Sequence, residues 1–252
     1  MRLTLLERPT QLTAKDFRAR LENELRELKG ELAADLTFEG FSPNGWAQVD
    51  VSGEDDEIVA QLVANKFSLA QGSAQDSETT GVYDAEIRRF TETGLSFDFG
   101  LGPDNLNHTI LTHNLQAQLA DGKSIPLREV VDCYCLYPGM RISVRIAARD
   151  NDKAECWLSD EQIDRFSRWV TSGLDRIQAF ECYRREAEAA VLNMHLSRDV
   201  IAVQPLTLTI QSIVCKLGTD AVGLIPKLGH GLKKQKLRPF LPKKIISRCR
   251  FW

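Results

Sequence analysis

The order of hydrophobic patterns along this chain restricts its fold more than any other feature. Residues 1–70 predict the order strand, helix, strand, strand, helix. Residues 159–241 begin with one extra helix, repeat that order and add a final strand, whereas residues 81–158 predict mainly short strands. The first pattern is typical of a split βαβ, or ferredoxin-like, sandwich, and closely spaced short strands are typical of a small barrel. The sequence therefore predicts an α+β protein with two ferredoxin-like domains flanking a small β-barrel or sandwich.

Local signals place the boundaries of the first half. Apolar side chains three to four residues apart, from Phe17 to Leu32, predict an amphipathic helix over residues 13–34. Acidic residues follow Gly53 and favour the start of a second helix, which should run from Ser52 or Gly53 to Phe67. The domains are predicted at residues 1–70, 81–158 and 159–241, with a polar linker at 71–80 and a basic tail at 242–252.

Local signals also place the elements of the second half. Ser159 and Gln162 have the spacing of a helix N-cap. Strands are then predicted over residues 176–180, 200–203, 206–216 and 237–241, with helices over residues 184–195 and 220–232. The tail is expected to be mobile at its end.

Charge is divided unequally along the chain. Residues 216–252 contain ten Lys and Arg against Asp220 alone, a net charge of +9, whereas residues 1–215 have a net charge of −12. Such asymmetry favours contact between the basic end and a polyanion or an anionic surface. Aromatic residues, among them Phe240 and Trp252, lie within the basic segment, and aromatic rings stack on unpaired bases.

The middle segment resembles the S-one-type OB domain of RNA-binding proteins. The spacing of Gly81–Ile87 and Gly94–Gly100 matches the two opening motifs of that family, and Pro138–Val144 resembles its fourth strand. The resemblance implies that residues 81–158 form a small OB-like β-barrel that binds RNA. Thr93 and Ser96 stand where that family has its base-stacking aromatics. The substitutes that we consider for stacking are Phe90, Phe97 and His108.

The whole chain also resembles an uncharacterised archaeal family, domain of unknown function 2110. The resemblance depends on the opening Leu3–Glu7, on Trp157–Gln162, and above all on Lys216–Lys227 with the late Pro242–Ile245. It implies an archaeal source and brings no activity with it.

Residues Gly218, Thr219 and Asp220 precede a predicted helix and allow two interpretations. Free amides at the helix start, with Lys216 and Lys227 nearby, would make an anion site. Alternatively, Thr219 or Asp220 caps the helix and Gly218 makes the turn, which requires no ligand. We favour the second interpretation.

Motifs for catalysis are absent from the sequence: there is no GxSxG, HExxH, GxGxxG or P-loop. We therefore expect no enzyme and no cofactor, although an enzyme acting on a phosphorylated small molecule stays an alternative. No metal site is expected, since a zinc site formed by Cys133 and Cys135 with His108 and His113 is the less favoured interpretation. No apolar run is long enough for a membrane span, and the opening residues do not resemble a signal peptide, so a cytoplasmic protein is expected.

These observations favour a non-catalytic RNA-binding protein of the archaeal translation or RNA-processing machinery. RNA is the expected partner, and association with the ribosome is one form that this contact could take. The alternative is a scaffold or assembly factor that docks on an acidic protein partner. The residues expected to contact phosphates are Lys216, Lys227, Lys233, Lys234, Lys236, Arg238, Lys243, Lys244, Arg248 and Arg250.

Overall fold

The computed structural model confirms the α+β class, because the described residues combine helices with three antiparallel sheets. The chain forms two compact units, Met1–Thr79 with Asp98–Leu106, and Thr80–Phe97 with Asn107–Trp252. The predicted linker, residues 71–80, lies outside the described residues. The described residues are 1–9, 14–70, 81–100, 108–150 and 153–249.

The first unit contains the predicted βαββα order. Its sheet has the strand order β1-β3-β2, and both pairings are antiparallel. On the far side of the first strand, Leu5 forms an antiparallel bridge with Leu69, where a ferredoxin-like sandwich has its fourth strand. The elements are β1 (Arg2–Thr4), α1 (Ala14–Lys29), β2 (Ala34–Phe41), β3 (Ala47–Gly53) and α2 (Asp56–Phe67).

Two helix boundaries in this unit differ from the predicted ones, and a glycine explains each difference. Helix α1 ends at Lys29, five residues before the predicted end, because Gly30 has a φ of +57° and terminates it. Helix α2 begins at Asp56 because Gly53 belongs to β3, where its φ is +123°. A side chain at Gly53 would lie 2.6 Å from the Ala33 carbonyl oxygen, so the position requires glycine.

The middle segment is a nearly closed five-stranded barrel. Its strand order is β6-β5-β4-β7-β8, with β6 beside β8 and two helices between the third and fourth strands. A Cβ atom at Gly94 would overlap the Ile110 carbonyl oxygen, which explains this motif glycine. The elements are β4 (Gly81–Phe90), β5 (Gly94–Asp98), β6 (His108–Leu111), α3 (Thr112–Leu119), α4 (Leu127–Tyr134), β7 (Arg141–Asp150) and β8 (Lys153–Leu158).

Helix α3 was not predicted from the sequence. Its side-chain amides form hydrogen bonds with the backbone at the edge of β8 that β7 does not pair. Gln118 donates from Nε2 to the Leu158 carbonyl and accepts the Leu158 amide at Oε1, both at 2.9 Å. Asn114 donates from Nδ2 to the Cys156 carbonyl at 3.1 Å. Because unpaired backbone groups at a buried edge are costly, α3 completes the barrel at this position.

The last part of the chain contains the predicted βαββαβ order. The sheet order β10-β11-β9-β12 is antiparallel throughout and is that of a ferredoxin-like sandwich. The predicted break between strands at residues 203–206 is wrong, since the turn lies at residues 208–209, and the predicted tail is helical up to Arg248. The elements are α5 (Asp160–Thr171), β9 (Arg176–Phe180), α6 (Arg184–Asn193), β10 (Val200–Thr207), β11 (Ile210–Cys215), α7 (Ala221–Gly231), β12 (Lys236–Phe240) and α8 (Pro242–Arg248).

Both faces of this four-stranded sheet are covered. Helices α6 and α7 pack on one face over Ile177 and Ile213. On the other face, Phe240 is fully buried, and its ring lies 5.2 Å from that of Trp169 on α5 and 6.4 Å from that of Tyr134 on α4. The barrel and the sandwich therefore share apolar contacts within one compact unit.

The connection between barrel and sandwich is fixed by hydrogen bonds. The predicted N-cap is confirmed: the Gln162 amide donates to Ser159 Oγ at 3.1 Å. The Gln162 side chain also accepts the Ser143 amide of β7 at 3.2 Å, and the Ser159 amide donates to the Ser143 carbonyl at 2.9 Å. The start of α5 is thus tied to the barrel wall.

Candidate nucleic-acid interface

The basic residues predicted to contact phosphates are exposed wherever the structure describes them. They lie before α7, on its outer side, in the turn after it, on the edge strand β12 and on α8. Arg250 lies outside the described residues. The nine exposed residues are Lys216, Lys227, Lys233, Lys234, Lys236, Arg238, Lys243, Lys244 and Arg248.

Strand β12 lies between two clusters that contain six of these nine cations. The turn cluster consists of Lys233, Lys234 and Lys236, at the start of the strand. The α8 cluster consists of Lys243, Lys244 and Arg248, on the helix that begins where the strand ends. Five extended residues span about 13 Å, so the two clusters lie at opposite ends of the strand. The basic end of the sequence is thus two neighbouring patches.

Some of these cations have partners. Lys236 Nζ lies 3.3 Å from Glu181 Oε1, Arg248 lies 3.9 Å from Glu129 Oε1, and the Arg238 guanidinium lies 5.1 Å from the centre of the Tyr137 ring. The Arg248 side chain is largely exposed, and an exposed ion pair contributes about 0–1 kcal/mol, so a phosphate can replace the Glu129 carboxylate there. Lys233 and Lys234 form no ion pair within the part of the chain that the structure describes.

The start of α7 is a capped helix, as the favoured interpretation predicted. Asp220 Oδ1 accepts the Val222 amide at 3.0 Å, and Gly218 has a φ of +84° in the turn. Asp175 Oδ2 also accepts the Ala221 amide, at 3.4 Å. Two carboxylates therefore occupy the position where an anion would bind. The anion site suggested for Gly218, Thr219 and Asp220 is not supported by this geometry.

The aromatic residues suggested for base stacking differ in their exposure. Phe97 is only 3% exposed, and its ring stacks on that of His108 at 5.9 Å. His108 is half-buried, and Phe90 at the end of β4 is 39% exposed. A base cannot reach the face of a buried ring, so Phe97 is withdrawn as a stacking candidate and Phe90 is the most accessible of the three.

A groove between α4 and α8 was missed by the sequence analysis. Arg128 lines it from α4, and nothing in the local sequence marks this residue, because Glu129 follows it directly and the basic segment begins far downstream. Asp132 accepts a hydrogen bond from the Tyr137 hydroxyl, and burial together with this bond raises the pKa of Tyr137. The groove is lined by Pro126, Arg128, Glu129, Asp132, Lys244 and Arg248.

The described residues form neither a metal-ion cluster nor a membrane-spanning helix. They contain no group of three or more His, Cys, Asp or Glu side chains placed to hold a metal ion, so the alternative zinc site is not formed there. All six cysteines are buried free thiols. None of the described helices is long and apolar enough to cross a membrane.

Comparison with known proteins finds one family match, in the C-terminal sandwich. A search of curated proteins found no match. Residues 174–238, which run from just before β9 into β12 and include Lys216–Lys227, match the family described as the DUF2110 C-terminal domain. The predicted resemblance to the uncharacterised DUF2110 family is thus supported for residues 174–238, about a quarter of the chain.

Proposed function

We propose that this protein binds RNA without chemically altering it, as a cytoplasmic component of the archaeal translation or RNA-processing machinery. The observation that carries the proposal is the exposure of all nine described cations between Lys216 and Arg248. Lys and Arg that contact phosphates release condensed counterions, which drives binding to nucleic acids. Residues 1–215 have a net charge of −12 and repel RNA, so contact is confined to the basic segment and its neighbours.

The mode of binding follows from which surfaces are free. The sheet of the C-terminal sandwich is covered on both faces, so bases cannot stack on it. Phosphate contacts through the turn cluster and the α8 cluster fit this structure better. The OB-like barrel belongs to the same compact unit, and OB folds commonly bind oligonucleotides. Its exposed Phe90 supplies one ring for an unpaired base.

The proposal is tested by measuring RNA affinity against salt concentration. The double variant Lys233→Glu/Lys234→Glu should weaken binding of a labelled single-stranded RNA. The slope of the salt dependence should fall by about 0.7 for each phosphate that is no longer neutralised. The matched control is Lys15→Glu/Lys29→Glu on α1, which changes the net charge equally. Unchanged affinity in the first variant, or an equal decrease in the control, would contradict the proposal.

A protein partner is the second candidate function, and exposed apolar residues favour it. Leu217 is 78% exposed, Ile201 55% and Val222 49%, where β11 ends, β10 begins and α7 begins. Purification from the source cells, with and without nuclease, separates the two functions. Co-purifying RNA that nuclease removes supports RNA binding, whereas a protein that remains after nuclease treatment supports assembly.

A further inference from the structure

Two helices bring three cations to one groove. On α8, Lys244 and Arg248 are four residues apart and so share one face of the helix. Both line the groove whose opposite wall is α4, and Arg128 enters from that wall. The α8 cluster thus has a cationic partner from the barrel, about 115 residues earlier in the chain.

The groove is held in shape before any ligand arrives. Pro242, Ile245 and Cys249 are buried and fix the inner side of α8. Lys123 Nζ donates to the Cys249 carbonyl at 3.2 Å and adds a positive charge at the end of α8. Helices α4 and α8 pack together directly. Since the helices that carry the cations are already packed together, binding requires ordering of the exposed side chains but little ordering of the backbone.

Two carboxylates in the groove have different roles. Asp132 is engaged by the Tyr137 hydroxyl and stays in place. Glu129 faces Arg248 at 3.9 Å, and the Arg248 side chain is 66% exposed, so this ion pair is weak. A phosphate offers the guanidinium two parallel, charge-assisted hydrogen bonds, which are stronger. Arg248 is therefore able to exchange Glu129 for a phosphate.

From this geometry we infer that the groove between α4 and α8 binds a backbone phosphate of single-stranded RNA through Arg128, Lys244 and Arg248. Glu129 weakens that binding because it competes for Arg248. The inference rests on the proposed RNA-binding function and deepens it by assigning a phosphate site that includes a residue of the barrel.

The decisive variant removes the competing carboxylate. Glu129→Gln should tighten binding of a labelled single-stranded RNA about two- to fivefold, the range expected for an exposed ion pair. The matched control is Glu188→Gln on α6, where Glu188 pairs with Arg184 at 2.8 Å outside the groove. It produces the same charge change and should leave the affinity unchanged. Arg128→Gln and Lys244→Gln should each weaken binding.

The outcomes separate the inference from the proposed function. If the wild-type protein shows no salt-dependent RNA binding, the proposed function fails and the inference fails with it. If the wild-type protein binds and Lys233→Glu/Lys234→Glu weakens binding, but the groove variants match the wild type, only the inference is overturned. An equal gain in Glu129→Gln and Glu188→Gln indicates a general charge effect and also overturns it. Unchanged thermal unfolding of each variant excludes misfolding.

Discussion

Tyr134 of the barrel helix α4 packs against Phe166 of α5, with ring centroids 5.1 Å apart. Both rings are fully buried, and Phe166 in turn contacts Trp169. Aromatic pairs of this kind stabilise a core beyond the area that they bury. The barrel and the C-terminal sandwich are joined by this cluster, which also fixes α5 between them.

Replacing Phe240 by alanine tests the shared core. Phe240 is fully buried on β12 against Trp169 and Tyr134, so Phe240→Ala should lower the free energy of unfolding by about 3–5 kcal/mol. Because the barrel and the sandwich share these contacts, amide hydrogen exchange should accelerate in both β7 and β9. Faster exchange in β9 alone would contradict a shared core.

Gln118 is predicted to hold the free edge of β8. The variant Gln118→Met keeps the side-chain length and removes both hydrogen bonds to Leu158, leaving an amide and a carbonyl unpaired. The cost should be about 2 kcal/mol in the free energy of unfolding. Hydrogen exchange at the Leu158 amide should accelerate, whereas the same substitution at the exposed Gln61 of α2 should have little effect. Unaltered exchange at Leu158 would refute this role.

Asp175 should make stability depend on pH. Burial, and then the nearby charge of Asp220, raise the pKa of Asp175, although the Ala221 amide and Lys243 oppose the shift. A raised folded-state pKa stabilises the fold below the ordinary aspartate pKa, and this contribution is lost as pH rises through the folded value. The difference between the Tm of Asp175→Asn and the wild-type Tm should therefore shift in favour of the variant as pH rises from about 4 to 7. Asp164→Asn on the exposed side of α5 is the control, and parallel curves for Asp175→Asn would contradict the expectation.

The buried thiols should resist alkylation in the folded protein. Burial raises the pKa of Cys156 and Cys215 to about 11 and that of Cys182 to about 12, so almost no thiolate exists at pH 8. Cys133 differs, because a hydrogen bond from Cys249 lowers its pKa. Mass spectrometry after iodoacetamide treatment at pH 8 should detect Cys133 labelled first, and all six cysteines labelled in denaturant. Early labelling of Cys156, Cys182 or Cys215 in the folded state would disprove this.

Local patterns predicted most elements and failed where an element depends on a distant partner. Strand β9 was predicted with its correct bounds, Arg176–Phe180, because apolar Ile177 and Ala179 alternate with polar residues, as in a strand. Strand β6 has four residues, and α3 uses Asn114 and Gln118 for hydrogen bonds to β8, so neither has a strong hydrophobic period. The sequence predicted a tail where helix α8 lies, because its charged residues obscure the apolar spacing of Pro242, Ile245 and Cys249.

The sequence likewise predicted one part of the candidate site and missed another. The charge split identified the basic segment, because net charge is a property of composition and needs no coordinates. Arg128 could not be identified from charge along the chain, because it becomes a neighbour of Lys244 only when α8 packs on α4.

Alone, the sequence determined the α+β class, the two repeated sandwich patterns, the capped starts of α5 and α7, and the basic end. These properties depend on hydrophobic periodicity, capping residues and charge, which act between residues close together in the chain. Only the tertiary structure decided that both faces of the C-terminal sheet are covered, that the cations form two clusters, and that Arg128 joins one of them. Those outcomes depend on packing between elements up to about 120 residues apart, and local patterns do not encode it.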